Sequence, residues 1–243
     1  MKVIILAAGM AKRLNPLCIN KNKSLLKIGH KTLLCRLFES YSSIGLRDFI
    51  VVTGHDAIGI KREINRFKKR KAIQVNTIYN PFYKISNNCQ SLLLGIQNLS
   101  ENILVSNADI IFDPNILKTI KGKKGNLLVI ANKHKLDGET MKVVLKNKKV
   151  VNISKKADIK KSVGEYIGVS IISKKSLPAL KKSLEKIVRN NPNLYYEDAY
   201  NLMLKQNPFY NADGNNFQAF EIDTLNDLNV VKKAFLSKSF SNN

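Results

Sequence analysis

Residues 2–17 read Lys2-Val-Ile-Ile-Leu-Ala-Ala-Gly-Met-Ala-Lys-Arg-Leu-Asn-Pro-Leu17, and residues 22–34 continue Asn22-Lys-Ser-Leu-Leu-Lys-Ile-Gly-His-Lys-Thr-Leu-Leu34. Val3 to Leu6 are branched and apolar without polar alternation, the pattern of a strand covered on both faces in a parallel sheet. The small residues Ala7, Ala8 and Gly9 then let the backbone approach a ligand, and successive N–H groups in such a turn form a concavity for anions. Arg13 and Lys23 add positive charge suited to a triphosphate. A glycine turn near a lysine also fits an ordinary strand-to-helix connection in a lysine-rich chain. The rest of the sequence has to decide between the two.

Working outward, short apolar runs recur at 49–53, 73–79, 103–105, 127–130 and 167–172, with helix-length segments between several of them. This alternation predicts a layered α/β fold: a Rossmann-like three-layer sandwich with a mostly parallel central sheet. Leu33, Leu34, Leu37 and Tyr41 repeat as one buried face of a helix over 32–44, with Gly45 as its stop. Asn87 or Asn88 can cap a helix running to Leu99, and Thr224 with Asp227 forms a capping box for a final helix reaching Phe235. Residues 141–154 form two strand-like runs about Asn147 and Lys148, which predicts a small antiparallel excursion built as a hairpin. The expected organisation is one domain over 1–236 and a polar C-terminal tail, 237–243.

Composition narrows the function classes. The chain has 243 residues, 41 Lys and Arg against 18 Asp and Glu, and a net charge of +23. Such a field attracts polyanions, but the lysines are scattered and the densest run, 68–71, carries no interleaved aromatics. Stacking rings are what a single-strand binder adds, so no specific nucleic acid is expected. Cys18, Cys35 and Cys89 cannot all pair and show no zinc or dithiol spacing, which points to a reducing cytoplasm. The apolar stretch 2–8 is too short to insert in a membrane. A homodimer is the one protein assembly left open.

The string at 6–17, together with Lys23 and the Leu-Leu-x-Ile-Gly segment after it, resembles the signature of the sugar-phosphate and MobA-like nucleotidyltransferase superfamily. Two positions depart from it: Ala11 stands for the second glycine, and Asn22 for the proline before the lysine, a change expected to loosen that turn. Five further strings narrow the resemblance to its phosphocholine cytidylyltransferase-like branch: 51–55 (Val-Val-Thr-Gly-His), 80–92, 109–113, 164–168 and 195–198 with 221–224.

That resemblance implies a nucleotide-diphospho-sugar transferase-like fold and transfer of CMP from CTP, or another NTP, to a small phosphate- or phosphonate-bearing metabolite, with release of pyrophosphate. It implies Lys23 and Arg13 as catalytic groups, and Leu6, Ala7, Ala8, Gly9, Asn88 and Ser91 as nucleotide-binding residues. Asn88 is also read as a helix cap. Glu165, Tyr166, Tyr196 and Glu197, with Asp198 beside them, form the implied acceptor wall, where the tyrosines equally suit a core. Mg²⁺ falls to Asp109 and Asp223 with Glu221, hard oxygens at strand ends where ligands bind. The attacking phosphate is already an anion, so no general base is required, and His30, His55 and His134 are read as surface or structural. A sugar-1-phosphate nucleotidyltransferase is the alternative within the class. A nucleotide-sensing or polyanion-binding domain is the alternative outside it.

Overall fold

The computed structural model describes residues 1–132 and 136–236; His134 and the tail 237–243 lie outside the described residues. In chain order the elements are β1 (Lys2–Ala7), β2 (Lys27–Ile28), β3 (Lys31–Thr32), α1 (Leu33–Ser43), β4 (Asp48–Thr53), α2 (Ala57–Lys68), β5 (Gln74–Tyr79), α3 (Asn88–Ile96), β6 (Ile103–Asn107), β7 (Ile110–Phe112), β8 (Asn126–Ala131), β9 (Lys142–Lys146), β10 (Lys149–Ser154), β11 (Ser162–Ile172), α4 (Leu177–Asn190), α5 (Tyr196–Met203), β12 (Phe209–Asp213), β13 (Ala219–Glu221) and α6 (Leu225–Leu236).

β1 lies inside the sheet, and its side chains alternate between two cores as a two-residue period requires. Val3 and Ile5 pack with Leu34, Leu37, Phe38 and Tyr41 of α1 and with Ile60, Ile64 and Phe67 of α2. Ile4 points the other way, toward Leu92 and Ile96 of α3, with α4 and α5 completing that layer. The three-layer sandwich follows from this division. The Thr32 hydroxyl caps α1 by accepting from the Cys35 N–H, and Gly45, at a φ of 89°, follows its end.

The sheet has nine strands in the order β5-β4-β1-β6-β11-β8-β12-β10-β9, with β9 pairing back onto β11. The first four are parallel. Beyond them β8 and β12 again pair in parallel, so the mostly parallel central sheet expected is present, with β11 inserted as an antiparallel strand. The run 167–172 belongs to β11, which is antiparallel to both β6 and β8. An apolar run reports burial on both faces and carries no sign of direction.

The excursion at 141–154 is the β9–β10 hairpin, with Asn147 and Lys148 at φ values of 50° and 64°. Two left-handed residues in succession are what a tight hairpin turn matched to strand twist demands. The hairpin is incorporated in the main sheet through β12 and β11. Strand β12 and helices α4 and α5 lie outside the elements anticipated from sequence. The spacing Leu177, Leu180, Leu184 and Ile187 in α4 was the available signal.

Candidate active site

After β1 the chain builds β4 and β5 on one side, then returns to place β6 on the other. This reversal opens a crevice beyond the carboxyl ends of β1 and β6, the place where open α/β sheets bind ligands. Ala7 is in register with Thr53, and Leu6 with Asn107, so the segments leaving these strands emerge together. A cavity of about 320 Å³ lies there.

One wall is the turn after β1, with Leu6, Ala7, Ala8 and Gly9 all lining the cavity. A Cβ built on Gly9 meets no protein atom within 4 Å. Packing among the described residues therefore does not require glycine there. Gly54 is the contrary case: a Cβ on it would stand 2.7 Å from the Ala8 carbonyl and 2.6 Å from the Tyr83 Cβ. Ala11, where the family signature has glycine, adopts the left-handed conformation at a φ of 48°. A side chain there is strained.

Asn22 overturns the expectation of a loosened turn. It is 2% exposed, and its amide nitrogen donates toward the carbonyls of Ala7 at 2.9 Å, Gly9 at 3.3 Å and His55 at 3.0 Å. The turn is held by the residue that stands where the signature has proline.

The opposite wall is acidic. β7 pairs with β13 in a separate two-stranded sheet, and the Ile222 N–H donates to the Asp109 carbonyl at 2.9 Å. This pairing brings Asp109 beside Glu221 and Asp223, and one carboxylate oxygen of each lies within 4.8 Å of the others. Lys23 reaches across from the basic wall: its Nζ sits 2.7 Å from Asp109 and 2.6 Å from Asp223. Arg13 pairs with the other oxygen of Asp223.

Burial opposes charge on Lys23, but the Coulombic pull of Asp109 and Asp223 outweighs it and holds the ammonium above its ordinary range. Burial likewise opposes ionisation of Asp223, and the charge of Lys23 overcomes it, holding the carboxyl low. Glu221 moves upward, from crowding into the cleft and from the charges of Asp109 and Asp223, although much of its surface stays open to solvent. Asp109 Oδ1 is buried and has no hydrogen-bond partner among the described residues.

At the far end, Ser91 Oγ accepts from the Asn80 amide at 3.0 Å, and both residues line the cavity. The cap of α3 is Asn87, whose side chain accepts from the Asn88 N–H. Asn88 instead ties α3 to α5 by accepting from the Tyr196 N–H at 3.0 Å, while still lining the cavity.

Glu165, Tyr166 and Glu197 line the cavity, with Asn132 donating to Glu165 at 2.9 Å. Tyr196, expected on the acceptor wall, is fully buried in the core behind it. The reason is a buried hydroxyl network, in which Tyr196 donates to Asn107 at 3.1 Å and meets the Tyr166 hydroxyl at 3.0 Å. Asp198 accepts from the Tyr195 N–H and caps α5. Glu197 is 4% exposed, and its Oε2 is buried without a hydrogen-bond partner among the described residues. Burial pushes its carboxyl up to about 8.

His55 Nε2 donates to the Cys18 carbonyl, 3.0 Å away, in a structural contact. Sequence reasoning missed Lys155, which lines the cavity, pairs with Glu139 at 3.2 Å and lies 5.6 Å from the Tyr195 ring centroid. It follows β10, and its run of neighbouring lysines concealed it.

Comparison with known proteins identifies the family and agrees with the fold. Residues 3–186 match the model of the MobA-like NTP transferase domain. The choline-phosphate cytidylyltransferase of Haemophilus influenzae is 25% identical over 235 residues, covering 95% of this chain and 96% of that one. Its Streptococcus pneumoniae counterpart is 29% identical over 112 residues, 46% of each chain. Among solved structures, a CTP:phosphocholine cytidylyltransferase from Streptococcus pneumoniae superposes with a TM-score of 0.80 at 23% identity, over 96% of this chain and 98% of that one.

Proposed function

Because the chain belongs to the family of MobA-like NTP transferase domains, we propose that it transfers CMP from CTP to a small phosphate- or phosphonate-bearing metabolite and releases pyrophosphate. The observation that carries this reading is the meeting of Lys23 and Arg13 with Asp109 and Asp223 across the mouth of the turn at 7–13. The cytidine preference rests on the relatives named choline-phosphate cytidylyltransferase.

In the proposed reaction an acceptor oxygen attacks the α-phosphorus, the bond to the β-phosphate breaks, and the electron pair leaves with pyrophosphate. Lys23 and Arg13 face the charge that accumulates on the phosphoryl oxygens, where fixed positive groups favour the transition state over the ground state. The turn at 7–9 offers backbone N–H groups to the triphosphate. Asp109, Asp223 and Glu221 are a hard-oxygen set suited to Mg²⁺, with Asp109 Oδ1 lacking a partner among the described residues. Mg²⁺ held there would neutralise triphosphate charge. Asn88 and Ser91 are proposed to read the base.

Glu197 favours an acceptor that carries an amine. Its carboxyl oxygen Oε2, without a partner among the described residues, is costly to bury and becomes satisfied when an N–H donor arrives, whose positive charge also favours the ionised carboxyl. The chain has no tryptophan, the strongest ring for a quaternary ammonium, so donors on nitrogen rank above a trimethylated head. Three free cysteines support a reducing cytoplasm as the working compartment.

The test is pyrophosphate release with each of four NTPs, Mg²⁺, and a panel of phosphocholine, phosphoethanolamine, aminoethylphosphonate and sugar 1-phosphates. Turnover with CTP and an amine-bearing acceptor is expected. Turnover confined to sugar 1-phosphates would move the protein to the sugar branch. Silence throughout, with RNA binding that survives physiological salt, would replace the enzyme by a polyanion-binding domain.

A further inference from the structure

We propose that Asn22 is the positioning residue of the phosphate-facing turn. Its side chain joins three segments and thereby decides which way the backbone N–H groups of that turn face. The inference rests on the nucleotide-transfer reading of the same cavity. Its physical content concerns anion binding alone.

The orientation of the amide is determined by its neighbours. Asn22 Oδ1 accepts from the Ser24 N–H at 2.9 Å and from the Ser24 hydroxyl at 2.8 Å. Those are donors, so the NH₂ end must face the other way. There it meets the carbonyls of Ala7, Gly9 and His55, at and beyond the last β1–β4 ladder pair, Ala7 with Thr53. The amide extends the sheet's hydrogen bonding past the point where the strands stop.

In a trans peptide the C=O and the following N–H point in opposite directions. Drawing the Ala7 and Gly9 oxygens toward Asn22 therefore turns the next N–H groups, those of Ala8 and Met10, away from it. The same residue precedes Lys23, and its own N–H donates to Asp56 Oδ2 at 3.2 Å. Asp56 in turn caps α2 through the Gly59 N–H at 3.0 Å. One buried residue thus couples the turn and the lysine through its side chain and the start of α2 through its backbone N–H. A proline at this place has no amide and no N–H to make any of these bonds.

The backbone permits a clean test. Asn22 has φ −66° and ψ 140°, which proline adopts without strain. Asn22→Pro removes the amide while preserving the chain path. Inorganic tripolyphosphate is the probe, titrated by calorimetry into wild type and variants, with folding checked by circular dichroism. Folded Asn22→Pro is expected to bind about tenfold more weakly, since several bonds to buried carbonyls are lost.

Asn22→Asp keeps both acceptor bonds to Ser24 but loses the donors. Its binding is expected to be weak at pH 8 and to recover in part toward pH 5, as the carboxyl regains a proton and can donate again. A residue that only filled space would give no such recovery.

Folded variants that bind tripolyphosphate within about twofold of wild type, at every pH, would overturn the assignment, because lost hydrogen bonds of this kind cost more than that. So would a wild type that does not bind tripolyphosphate. Should wild type bind it strongly yet release no pyrophosphate with any nucleotide and acceptor, the proposed reaction fails while the role of Asn22 is still decided by the variants.

Discussion

Lys23 stands between two carboxylates that would otherwise repel each other, at 2.7 Å and 2.6 Å. Replacing it with methionine keeps much of the volume but removes the charge. Lys23→Met is expected to lower turnover by at least about a hundredfold, the usual cost of losing a donor aimed at developing charge. Circular dichroism should still report a folded protein, and unaltered turnover would remove Lys23 from the reaction. Ala11 offers a separate test: its left-handed φ of 48° burdens a residue with a Cβ and suits glycine. Ala11→Gly should raise stability by about 0.5–1 kcal/mol, read from the urea midpoint, because the relief of strain exceeds the added chain entropy. A lower midpoint would mean that the methyl contributes packing to the small core beneath α6.

The elements that matter most to the site are among the shortest. β7 and β13 have three residues each, yet their pairing is what carries Asp223 across to Asp109. The start of α6 secures the same corner: Asp227 Oδ2 accepts from the Asp223 N–H at 3.0 Å and the Thr224 N–H at 2.7 Å. Asp227→Ala should therefore cost about 1 kcal/mol of stability, as loss of a helix cap does. It should also raise the nucleotide KM, because the backbone at Asp223 loses its anchor. Denaturant unfolding with steady-state kinetics reads both effects, and a stability loss with unchanged kinetics would confine the box to structure. This corner was legible in part, since Thr224 and Asp227 have capping spacing. The β7–β13 pairing was not, because a three-residue strand has too little pattern to name its partner.

At the scale of the whole molecule, charge is arranged in two ways. The +23 net charge is spread over the surface and should produce only salt-sensitive attraction to polyanions. Any binding of generic RNA is expected to fall by about three orders of magnitude between 50 and 200 mM salt, as multiple phosphate contacts do. Glu197 is the buried opposite. Its carboxyl is raised from 4.5 to about 8 by burial, so the folded state retains a proton that the unfolded state releases. The associated stability is fully present below pH 4.5 and is lost as pH rises through about 8. Glu197→Gln should flatten the fall of Tm between pH 5 and pH 8, and an unchanged slope would assign the pH dependence elsewhere.

From sequence alone came the layered α/β class, the strand-turn pattern at 2–9, the helix caps and the residues that line the cavity on its basic and acidic sides. The class, the turn and the caps are local, written in periodicity, small residues or spacing within a few positions, whereas the basic and acidic residues of the cavity were implied by the resemblance to the nucleotidyltransferase signature. The tertiary structure alone decided the direction of β11, the burial of Tyr196 behind the wall it was expected to form, and the closure of the turn by Asn22. Those outcomes depend on partners distant in the chain: Tyr196 meets Asn107, and Asn22 meets His55. A hydrogen bond between segments so far apart leaves no periodic trace in either one. It exists only once the chain has been brought together around the sheet.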